Sequence, residues 1–245
     1  MRTLLLFRGS MFIIVDHRIK SSSLSSLEAL GFEPILMPSL PLLQQGVSAH
    51  ADMLIFMGFG KLFCHRSYYA DKKVLIDRIV GISGLDLIIS DEILSSDYPH
   101  DVLFNAALIG RRLVCNKKTI SRHILKAAEE SGCTVINVSQ GYTKCSVCAV
   151  SDNAIITADK VIASACEAES IDVLLIDEGH VSLPPYNYGF IGGTCGVHGD
   201  NVYFCGSLDT HPDAGRIKEF CKKHQKNTVS LSNGELQDVG SLFFI

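Results

Sequence analysis

The fold is decided by residues 101–139, DVLFNAALIGRRLVCNKKTISRHILKAAEESGCTVINVS. Two short apolar runs, Val102–Ala107 and Arg112–Asn116, flank a glycine turn and predict a β-hairpin. An amphipathic helix follows, and Gly132 supplies the left-handed residue that ends it. The run Cys133–Val138 is apolar and β-branched, which predicts a buried strand. The segment is therefore expected to form one ββαβ unit.

The same unit recurs along the chain. Its marker is a helix stop followed by an apolar strand, which occurs at Gly31, Gly84 and Gly132. Weaker forms of the marker begin at Ser170 and Asn227, and asparagine is the usual substitute for glycine at such a stop. The stops recur about every 49 residues, which is at the long end for a structural repeat.

Five units account for the whole chain as one domain, residues 1–245. Their approximate bounds are 1–45, 46–96, 97–140, 141–188 and 189–245. The first unit is one strand short, whereas the C-terminal run 241–245 is one strand too many. Pairing this run with the first strand, Met11–Asp16, would close a five-unit ring and remove exposed sheet edges. The alternative is an ordinary open-sheet α/β enzyme, in which the two segments lie apart.

The composition limits the class of protein. Hydrophobic residues make up 47% of the chain and charged residues 20%, which is typical of a folded domain. A net charge of −4 without a basic stripe argues against nucleic acid as the main partner. Arg8 and Asp16 interrupt the apolar run Leu4–Phe7, so neither a signal peptide nor a membrane segment is expected. Nine scattered cysteines, an odd number, favour reduced thiols and a cytoplasmic protein.

Three local motifs resemble those of the pentein, or β/α-propeller, superfamily. Residues 100–105, HDVLFN, resemble its Gly-Gly-Asp-Val-Leu-Phe segment. Residues 141–148, GYTKCSVC, resemble the segment with a catalytic histidine two positions before a lysine, and residues 240–244, GSLFF, resemble the final strand with its nucleophilic cysteine. The superfamily includes arginine and agmatine deiminases, dimethylarginine hydrolase, amidinotransferases and the non-enzymatic ribosome anti-association initiation factors. The resemblance covers essentially the whole chain and implies five ββαβ units around a central polar channel.

The resemblance implies roles for individual residues, and the sequence departs from it at two of them. Asp101 takes the position of the substrate-binding carboxylate, Tyr142 that of the catalytic histidine and Ser241 that of the nucleophilic cysteine. A serine hydroxyl is a far weaker nucleophile than a thiolate unless a base lies beside it, and tyrosine is a poor base at neutral pH. These three residues are the candidate catalytic residues, with Asp238 as a candidate base. Standard guanidine hydrolysis is not expected.

Mainly acidic side chains around the channel favour a small polar or cationic ligand of the guanidino or amino-acid-like kind. The candidate ligand-binding residues are Asp52, Asp101, Lys144, Glu235 and Asp238. A simpler interpretation is that Asp101 and Asp238 cap turns or pair with Lys144 and so hold adjacent units together. Only the mutual geometry of these residues can distinguish the two interpretations.

Two cysteine motifs offer further alternatives. Residues 192–199, GGTCGVHG, could bring Cys195 and His198 to the channel as an alternative nucleophile and base. A tight lead into a hairpin explains the glycines more simply, because no helix follows. Cys145 and Cys148 form a single CxxC, and a zinc knuckle would need a second pair, so two core thiols are expected.

No metal or other cofactor is expected from the sequence. His50 and Asp52, like His211 and Asp213, pair a histidine with an aspartate two positions later. Pairs so far apart in sequence are weak grounds for a metal site, and Asp213 is better explained as a residue near the start of a helix.

Three functions follow from these observations. The leading one is the binding of a small polar or cationic molecule in the channel. The second is an active guanidino-group hydrolase or an amidinotransferase-like enzyme, which would act on C–N bonds through a non-standard nucleophile. The third is a non-catalytic module that binds a protein partner through its outer face, since the acidic charge makes ribosomal RNA a poor partner. The sequence makes no prediction of oligomeric state.

Overall fold

A computed structural model describes residues 11–245, which form five three-stranded sheets. The strands in chain order are β1 (Met11–Asp16), β2 (Phe32–Met37), β3 (Ile55–Gly58), β4 (Lys61–His65), β5 (Asp86–Ser90), β6 (Ala107–Ile109), β7 (Arg112–Cys115), β8 (Thr134–Asn137), β9 (Cys148–Ser151), β10 (Ala154–Thr157), β11 (Asp172–Leu175), β12 (Cys195–His198), β13 (Asn201–Phe204), β14 (Asn227–Ser230) and β15 (Phe243–Phe244). The α-helices are α1 (Ser21–Ala29), α2 (Ala51–Leu54), α3 (Arg66–Ser83), α4 (Arg122–Glu130), α5 (Thr143–Ser146), α6 (Lys160–Ala168) and α7 (Ala214–Lys223). Two short 3-10 turns, Gly192–Thr194 and Leu208–Thr210, lie in the fifth unit.

All five sheets share one internal order. In each, the central strand pairs antiparallel with one neighbour and parallel with the other, and a helix connects the parallel pair. Four sheets are formed by consecutive strands, namely β3-β4-β5, β6-β7-β8, β9-β10-β11 and β12-β13-β14. The fifth, β15-β1-β2, combines the two ends of the described chain. The five-unit α/β architecture expected from the repeat is confirmed.

The C-terminal strand closes the ring. Ile13 of β1 lies opposite Phe244 of β15, and Ile14 lies opposite Phe243. Beyond the strand, the amide and carbonyl groups of Phe12 and Ile245 exchange hydrogen bonds of 3.0 and 2.9 Å. The pairing covers an edge of β1 that would otherwise be exposed. The open-sheet alternative is therefore wrong.

Left-handed residues end the helices where the sequence predicts them, with one exception. Gly31, Gly84 and Gly132 have φ angles of +91°, +66° and +62°, and Ser170 adopts +59° despite its side chain. In the fifth unit the left-handed residue is Gln225, at +58°, and not Asn227, which already lies in β14. α7 ends at Lys223, and only two residues separate it from Lys226. The Lys226 amide donates a hydrogen bond to the carbonyl oxygen of Cys221, so the left-handed turn falls at Gln225.

Two predicted strands begin later than expected. Residues 102–106 form buried turns, and β6 begins only at Ala107. Likewise the run Ser146–Val150 predicts a strand, but Ser146 ends the short helix α5 and β9 begins at Cys148. Asn105 explains the second difference, because its side-chain oxygen accepts hydrogen bonds of 2.7 and 3.2 Å from the amides of Lys144 and Cys145. These bonds fix a helical turn where apolar residues alone favour a strand.

Two helix starts also differ from the sequence prediction. The sequence of the second unit predicts a helix from about Asp71 to Ile82, but α3 begins at Arg66, because His65 caps it by accepting a hydrogen bond of 3.1 Å from the Ser67 amide. The helix expected near Pro212 begins at Ala214, after the 3-10 turn.

The apolar core lies between units. For example, Phe56 and Phe63 of the second unit pack with Phe104, Leu113 and other residues of the third. At the closure, Ile13 and other residues of β1 pack with Tyr203 and Leu231 of the fifth unit. A single unit could not bury these faces alone.

Within residues 11–245, every helix is too short or too polar to cross a membrane. The apolar run Leu4–Phe7 lies outside the described residues.

Candidate functional site

The candidate site is formed by the turns that precede the first strand of successive units. These turns are α2, residues 101–106, α5, the Gly192–Thr194 turn and residues 238–242. Backbone hydrogen bonds join them: the Asp52 amide donates to Gly240, and the amides of Val239 and Ser241 both donate to Gly193. Side chains that are far apart in the sequence therefore meet at one centre.

Ser241 is fully buried at this centre, and its hydroxyl is surrounded by polar partners. Its Oγ donates a hydrogen bond to Asp52 Oδ2 at 2.7 Å or to the carbonyl oxygen of Gly192 at 3.0 Å, and it accepts one from Lys144 Nζ at 2.8 Å. Ser241 also has a φ angle of +71°, a left-handed conformation that is uncommon for a residue with a side chain. Such backbone strain is frequent at functional sites.

A second buried network connects Asp52 with Cys145. The Cys145 thiol donates to Asp52 Oδ2 at 3.2 Å, and Asn105 Nδ2 donates to Cys145 Sγ at 3.1 Å. Burial and the carboxylates of Asp52 and Asp238 raise the pKa of the Cys145 thiol well above its usual value. The other carboxylate oxygen of Asp52, Oδ1, is buried and has no hydrogen-bond partner.

Asp238 is held by two backbone amides. Its Oδ1 accepts from the Gly240 amide at 3.0 Å, and its Oδ2 accepts from the Phe190 amide at 2.9 Å. Burial raises the pKa of Asp238, and Asp52 adds to this increase while His50 opposes it. A Cβ atom on Gly193 would lie 2.0 Å from Asp238 Oδ1, so only glycine fits beside this carboxylate.

His50 lies near two carboxylates but outside hydrogen-bond distance of both. Its Nδ1 lies 3.7 Å from Asp238 Oδ1, and its Nε2 lies 3.8 Å from Asp16 Oδ2. Asp16 ends β1 and forms a two-point ion pair with Arg18, whose Nη2 lies 2.5 Å from Oδ2. A cavity of about 230 Å³ reaches this side of the site, and Asp16, Arg18, His50 and Asp238 contribute to its wall.

Asp101 and Tyr142 form the other side of the site. Tyr142 Oη donates to Asp101 Oδ2 at 2.5 Å, whereas the buried Asp101 Oδ1 has no hydrogen-bond partner. Burial raises the pKa of Asp101, although the hydrogen bond from Tyr142 opposes the increase. Burial and the Asp101 carboxylate raise the pKa of Tyr142 as well. Tyr142 therefore acts as a hydrogen-bond donor and not as a base.

Aromatic rings lie close to Tyr142, the hydrogen-bond partner of Asp101. The rings of Tyr98 and Phe190 are both neighbours of the Tyr142 ring, with centroids 6.2 Å away. Burial and the nearby Asp101 charge raise the pKa of Tyr186, a half-exposed residue whose hydroxyl donates to Gln44. A partly exposed aromatic wall beside a buried carboxylate suits a cation.

The structure brings together most, but not all, of the predicted residues. Ser241, Lys144 and Asp52 share one hydrogen-bond network, as do Asp101 and Tyr142. Glu235, by contrast, is exposed and lines a separate surface cavity that also contains His180 and Thr210. It is exposed because residues 232–235 form a polar turn that leads out of β14 before the chain returns to the core at Leu236.

Cys195 and His198 do not form a thiol–imidazole pair. They lie three positions apart on β12, so their side chains point to opposite faces. Cys195 packs in the apolar cluster that contains Cys148, and His198 packs against the rings of Phe32 and Phe244. A hydrogen bond to Cys195 and burial raise the pKa of the Cys148 thiol. Cys148 is a core thiol, as the sequence predicts.

His211 and Asp213 lie at the start of α7 and are not part of the candidate site. The Asp213 amide donates to His211 Nδ1 at 3.0 Å, and the Asp213 carboxylate accepts from Arg216 and from the Asp177 amide.

Sequence reasoning missed three contributors to the site. These are Asn105, the carbonyl oxygen of Gly192 and the thiol of Cys145. The glycine pair at 192–193 was a usable signal, because consecutive glycines often mark a close approach of two backbone segments. The contribution of Cys145 had no such signal, since it depends on a helical turn fixed from another unit.

Comparison with solved structures defines the class of protein. A Cys-to-Ser variant of DDAH from Pseudomonas aeruginosa, complexed with citrulline, matches with a TM-score of 0.58 and 10% identity, over 90% of this chain and 91% of that chain. An agmatine deiminase from C. jejuni matches with a TM-score of 0.54 and 7% identity, over 90% and 87%. An amidinotransferase of the saxitoxin pathway from Microseira wollei matches with a TM-score of 0.52 and 10% identity, over 90% and 88%. The chain therefore has the pentein fold.

Within this class, the chain belongs to the family of unknown function DUF6873, whose model matches residues 14–243. No curated protein matches the sequence. Identities near 10% to the solved structures show the fold alone, because unrelated functions recur on one fold.

Proposed function

We propose that the protein binds a small cation of the guanidino or amino-acid-like class beside Asp101. The observation that carries this proposal is Asp101 Oδ1, a buried carboxylate oxygen without a hydrogen-bond partner. A buried acceptor left unpaired costs about 1–3 kcal/mol, and more when it is charged. A cation that donates an N–H group to Oδ1 would remove this cost.

The surroundings of Asp101 support a planar cation. The face of Tyr142 and the neighbouring ring of Phe190 offer cation–π contact, and the other oxygen of Asp101 is already occupied by Tyr142 Oη. A guanidinium group presents several N–H donors in one plane and is only weakly hydrated, which suits a carboxylate beside aromatic rings.

The chemistry of the site opposes standard guanidine hydrolysis. By the family resemblance, Ser241 stands where a cysteine is expected and Tyr142 where a histidine is expected, and the Tyr142 hydroxyl donates a hydrogen bond to Asp101. Two of the structural relatives are Cys-to-Ser variants, and these hold citrulline or a bound substrate. In this fold, a serine in place of a cysteine is thus compatible with ligand binding.

The test is calorimetric titration of the full chain with L-arginine, agmatine, guanidinium and, as an uncharged comparison, citrulline. At least one cation should bind with a measurable Kd. Asp101→Asn keeps an oxygen for Tyr142 and places an amide NH₂ group at the unpaired position, so it should weaken binding by about 10–100-fold. Asp152→Asn, on an exposed turn, is the matched control. Failure of all cations to bind, or equal affinity of Asp101→Asn and the parent, would overturn the proposal.

A second candidate is hydrolysis or group transfer at a C–N bond with Ser241 as the nucleophile. One observation favours it: Asp52 Oδ2 lies 2.7 Å from Ser241 Oγ and can accept its proton, while Lys144 Nζ lies 2.8 Å from the same oxygen. Formation of a ureido product or of an amidino-transfer product from a bound cation would favour this candidate. The activity should then disappear in Ser241→Ala.

A further inference from the structure

We propose that His50, Asp52 and Cys145 form a binding site for a transition-metal ion, with Zn²⁺ as the best match. One ligand atom from each residue lies within 4.8 Å of the other two. The three residues come from α2 with its preceding residue and from α5, two turns that meet at the centre of the ring. The sequence alone favoured no metal, because nothing in it placed Cys145 beside the His50 and Asp52 pair.

An independent observation points to a missing ligand at this position. His50 Nδ1 and Asp52 Oδ1 are both buried atoms without a hydrogen-bond partner, and each residue is only 1% exposed. Two such atoms in one small cluster are unusual, since buried polar atoms are almost always paired. A metal ion bound by both atoms would satisfy them together.

The donor set matches zinc chemistry. Thiolate, imidazole and carboxylate are the three ligand types that Zn²⁺ takes in proteins, at bond lengths of ~2.0–2.3 Å. Tetrahedral bonds of that length place two ligand atoms ~3.3–3.8 Å apart. The cluster therefore has to contract by about 1 Å at its widest pair, which side-chain rotation can provide. Asp238 Oδ1, 3.7 Å from His50 Nδ1, already stands at the spacing of a fourth ligand.

Neighbouring groups would orient the ligands. The second ring nitrogen of His50, Nε2, lies 3.8 Å from Asp16 Oδ2, and a carboxylate behind a histidine ligand is a recurrent feature of zinc sites. Asn105 Nδ2 donates to Cys145 Sγ at 3.1 Å and would stabilise a thiolate there. Ser241 donates to Asp52 Oδ2, which leaves Oδ1 for the metal.

A divalent ion would also balance charge. Asp52 and Asp238 are both buried here, Arg18 is already paired with Asp16, and Lys144, 2.8 Å from the Ser241 hydroxyl, supplies only one positive charge. In the metal-free protein the thiol proton of Cys145 lies in the hydrogen bond to Asp52. When a metal ion binds, it takes the place of this proton, which is released to solvent. Binding at this cluster is distinct from cation binding at Asp101 Oδ1, and either could occur without the other.

The experiment uses the full chain after chelator treatment and dialysis against Zn²⁺, with the metal content measured by plasma mass spectrometry. About one equivalent should be retained. Replacement by Co²⁺ should give a near-ultraviolet thiolate-to-cobalt band and visible bands of a tetrahedral ion. Cys145→Ser should remove the thiolate band and weaken Zn²⁺ binding by at least about 100-fold. Cys205→Ser, at another buried thiol, should change neither.

Thermal unfolding of each variant separates loss of the site from loss of the fold. Asp52→Asn provides a second test, because the amide keeps the shape and an acceptor for Ser241 but carries no charge. It should also weaken Zn²⁺ binding while the protein remains folded. The proposal is overturned if the parent retains no metal, if cobalt binds without a thiolate band, or if folded Cys145→Ser and Asp52→Asn bind Zn²⁺ as the parent does.

Discussion

Lys144 Nζ lies 2.8 Å from Ser241 Oγ, and this contact joins α5 to the loop before β15. The same hydroxyl lies 2.7 Å from Asp52 Oδ2, so side chains from three units meet at one oxygen atom. Lys144 also lies over the ring of Phe243, with Nζ 5.6 Å from its centroid. The closure of the ring and the candidate site therefore depend on the same few contacts.

Removal of the Lys144 charge should destabilise the protein. Lys144→Met keeps the length of the side chain but leaves the buried Ser241 and Asp52 pair without its cation. The free energy of unfolding should fall by about 1–3 kcal/mol, the range for hydrogen bonds that involve charged groups. Urea denaturation measures this change, and Lys126→Met, at an exposed lysine of α4, should change it by less than about 0.5 kcal/mol. Equal effects of the two substitutions would show that the Lys144 contact contributes nothing.

A methyl group at Gly193 should be far more harmful than one at Gly215. The added Cβ would lie 2.0 Å from Asp238 Oδ1, and the carboxylate cannot move aside because it is held by the Phe190 and Gly240 amides. Gly193→Ala should therefore lower the free energy of unfolding by about 3 kcal/mol or more.

Gly215 is the matched control for this prediction. It lies in α7 with open space around its Cβ position, and Gly215→Ala should raise the free energy of unfolding by about 0.5–1 kcal/mol. Denaturant unfolding of both variants tests the predicted opposite signs. A mild effect of Gly193→Ala would mean that Asp238 is not fixed as described.

The fold could be predicted because its signals are local. Apolar strands and left-handed stops recur in each unit, and Gly31, Gly84 and Gly132 indeed adopt positive φ angles. The closure by β15 followed from counting strands, since one end lacked a strand and the other had one in excess. The errors also have local causes. Asn227 is a plausible end for the last helix because asparagine can adopt the left-handed conformation, but Gln225 is the residue that adopts it.

The site could be predicted only in part because its geometry is non-local. Family-like motifs identified the turns that carry Asp101, Tyr142 and Ser241, but a motif does not fix which atoms remain unpaired. Ser241 and Asp52 are 189 positions apart, and their contact depends on the closure of the whole ring. Asn105 shows the same limit, since its hydrogen bonds convert a predicted strand start into α5 and thereby place Cys145 beside Asp52.

Loss of the Phe244 side chain should weaken the closure of the ring. Phe244 packs against the rings of Phe32, Tyr203 and His198, at centroid distances of 4.9, 5.2 and 5.3 Å. Because it is half-buried, Phe244→Ala should lower the free energy of unfolding by about 2–3 kcal/mol, less than for a fully buried phenylalanine. Val74→Ala, at a side chain that is 85% exposed, should have little effect in the same urea experiment. A change at Phe244 no larger than at Val74 would contradict the importance of this closure.

Glu92 should make the stability of the protein depend on pH. It follows β5 and reaches the start of α4 in the next unit, where its carboxylate accepts hydrogen bonds from the Ser121 hydroxyl and, at 2.9 Å, from the Arg122 amide. Burial alone would raise the pKa of Glu92, but these bonds, together with one from Ser90, hold it below its usual value. The ionised form is therefore the one that stabilises the folded state.

Because the pKa of Glu92 is lower in the folded than in the unfolded protein, its contribution is complete above the unfolded pKa of ~4.3 and is lost as the pH falls through the folded pKa. Glu92→Gln should lower the free energy of unfolding by about 0.5–1 kcal/mol at pH 7, a modest value because the carboxylate is partly exposed. The difference from the parent should shrink below pH ~4, where the parent carboxylate becomes neutral. Urea denaturation from pH 7 to pH 3 measures this trend, with Glu129→Gln, at an exposed position of α4, as the comparison. A difference that stays constant over this range would mean that Glu92 acts through its shape and not through its charge.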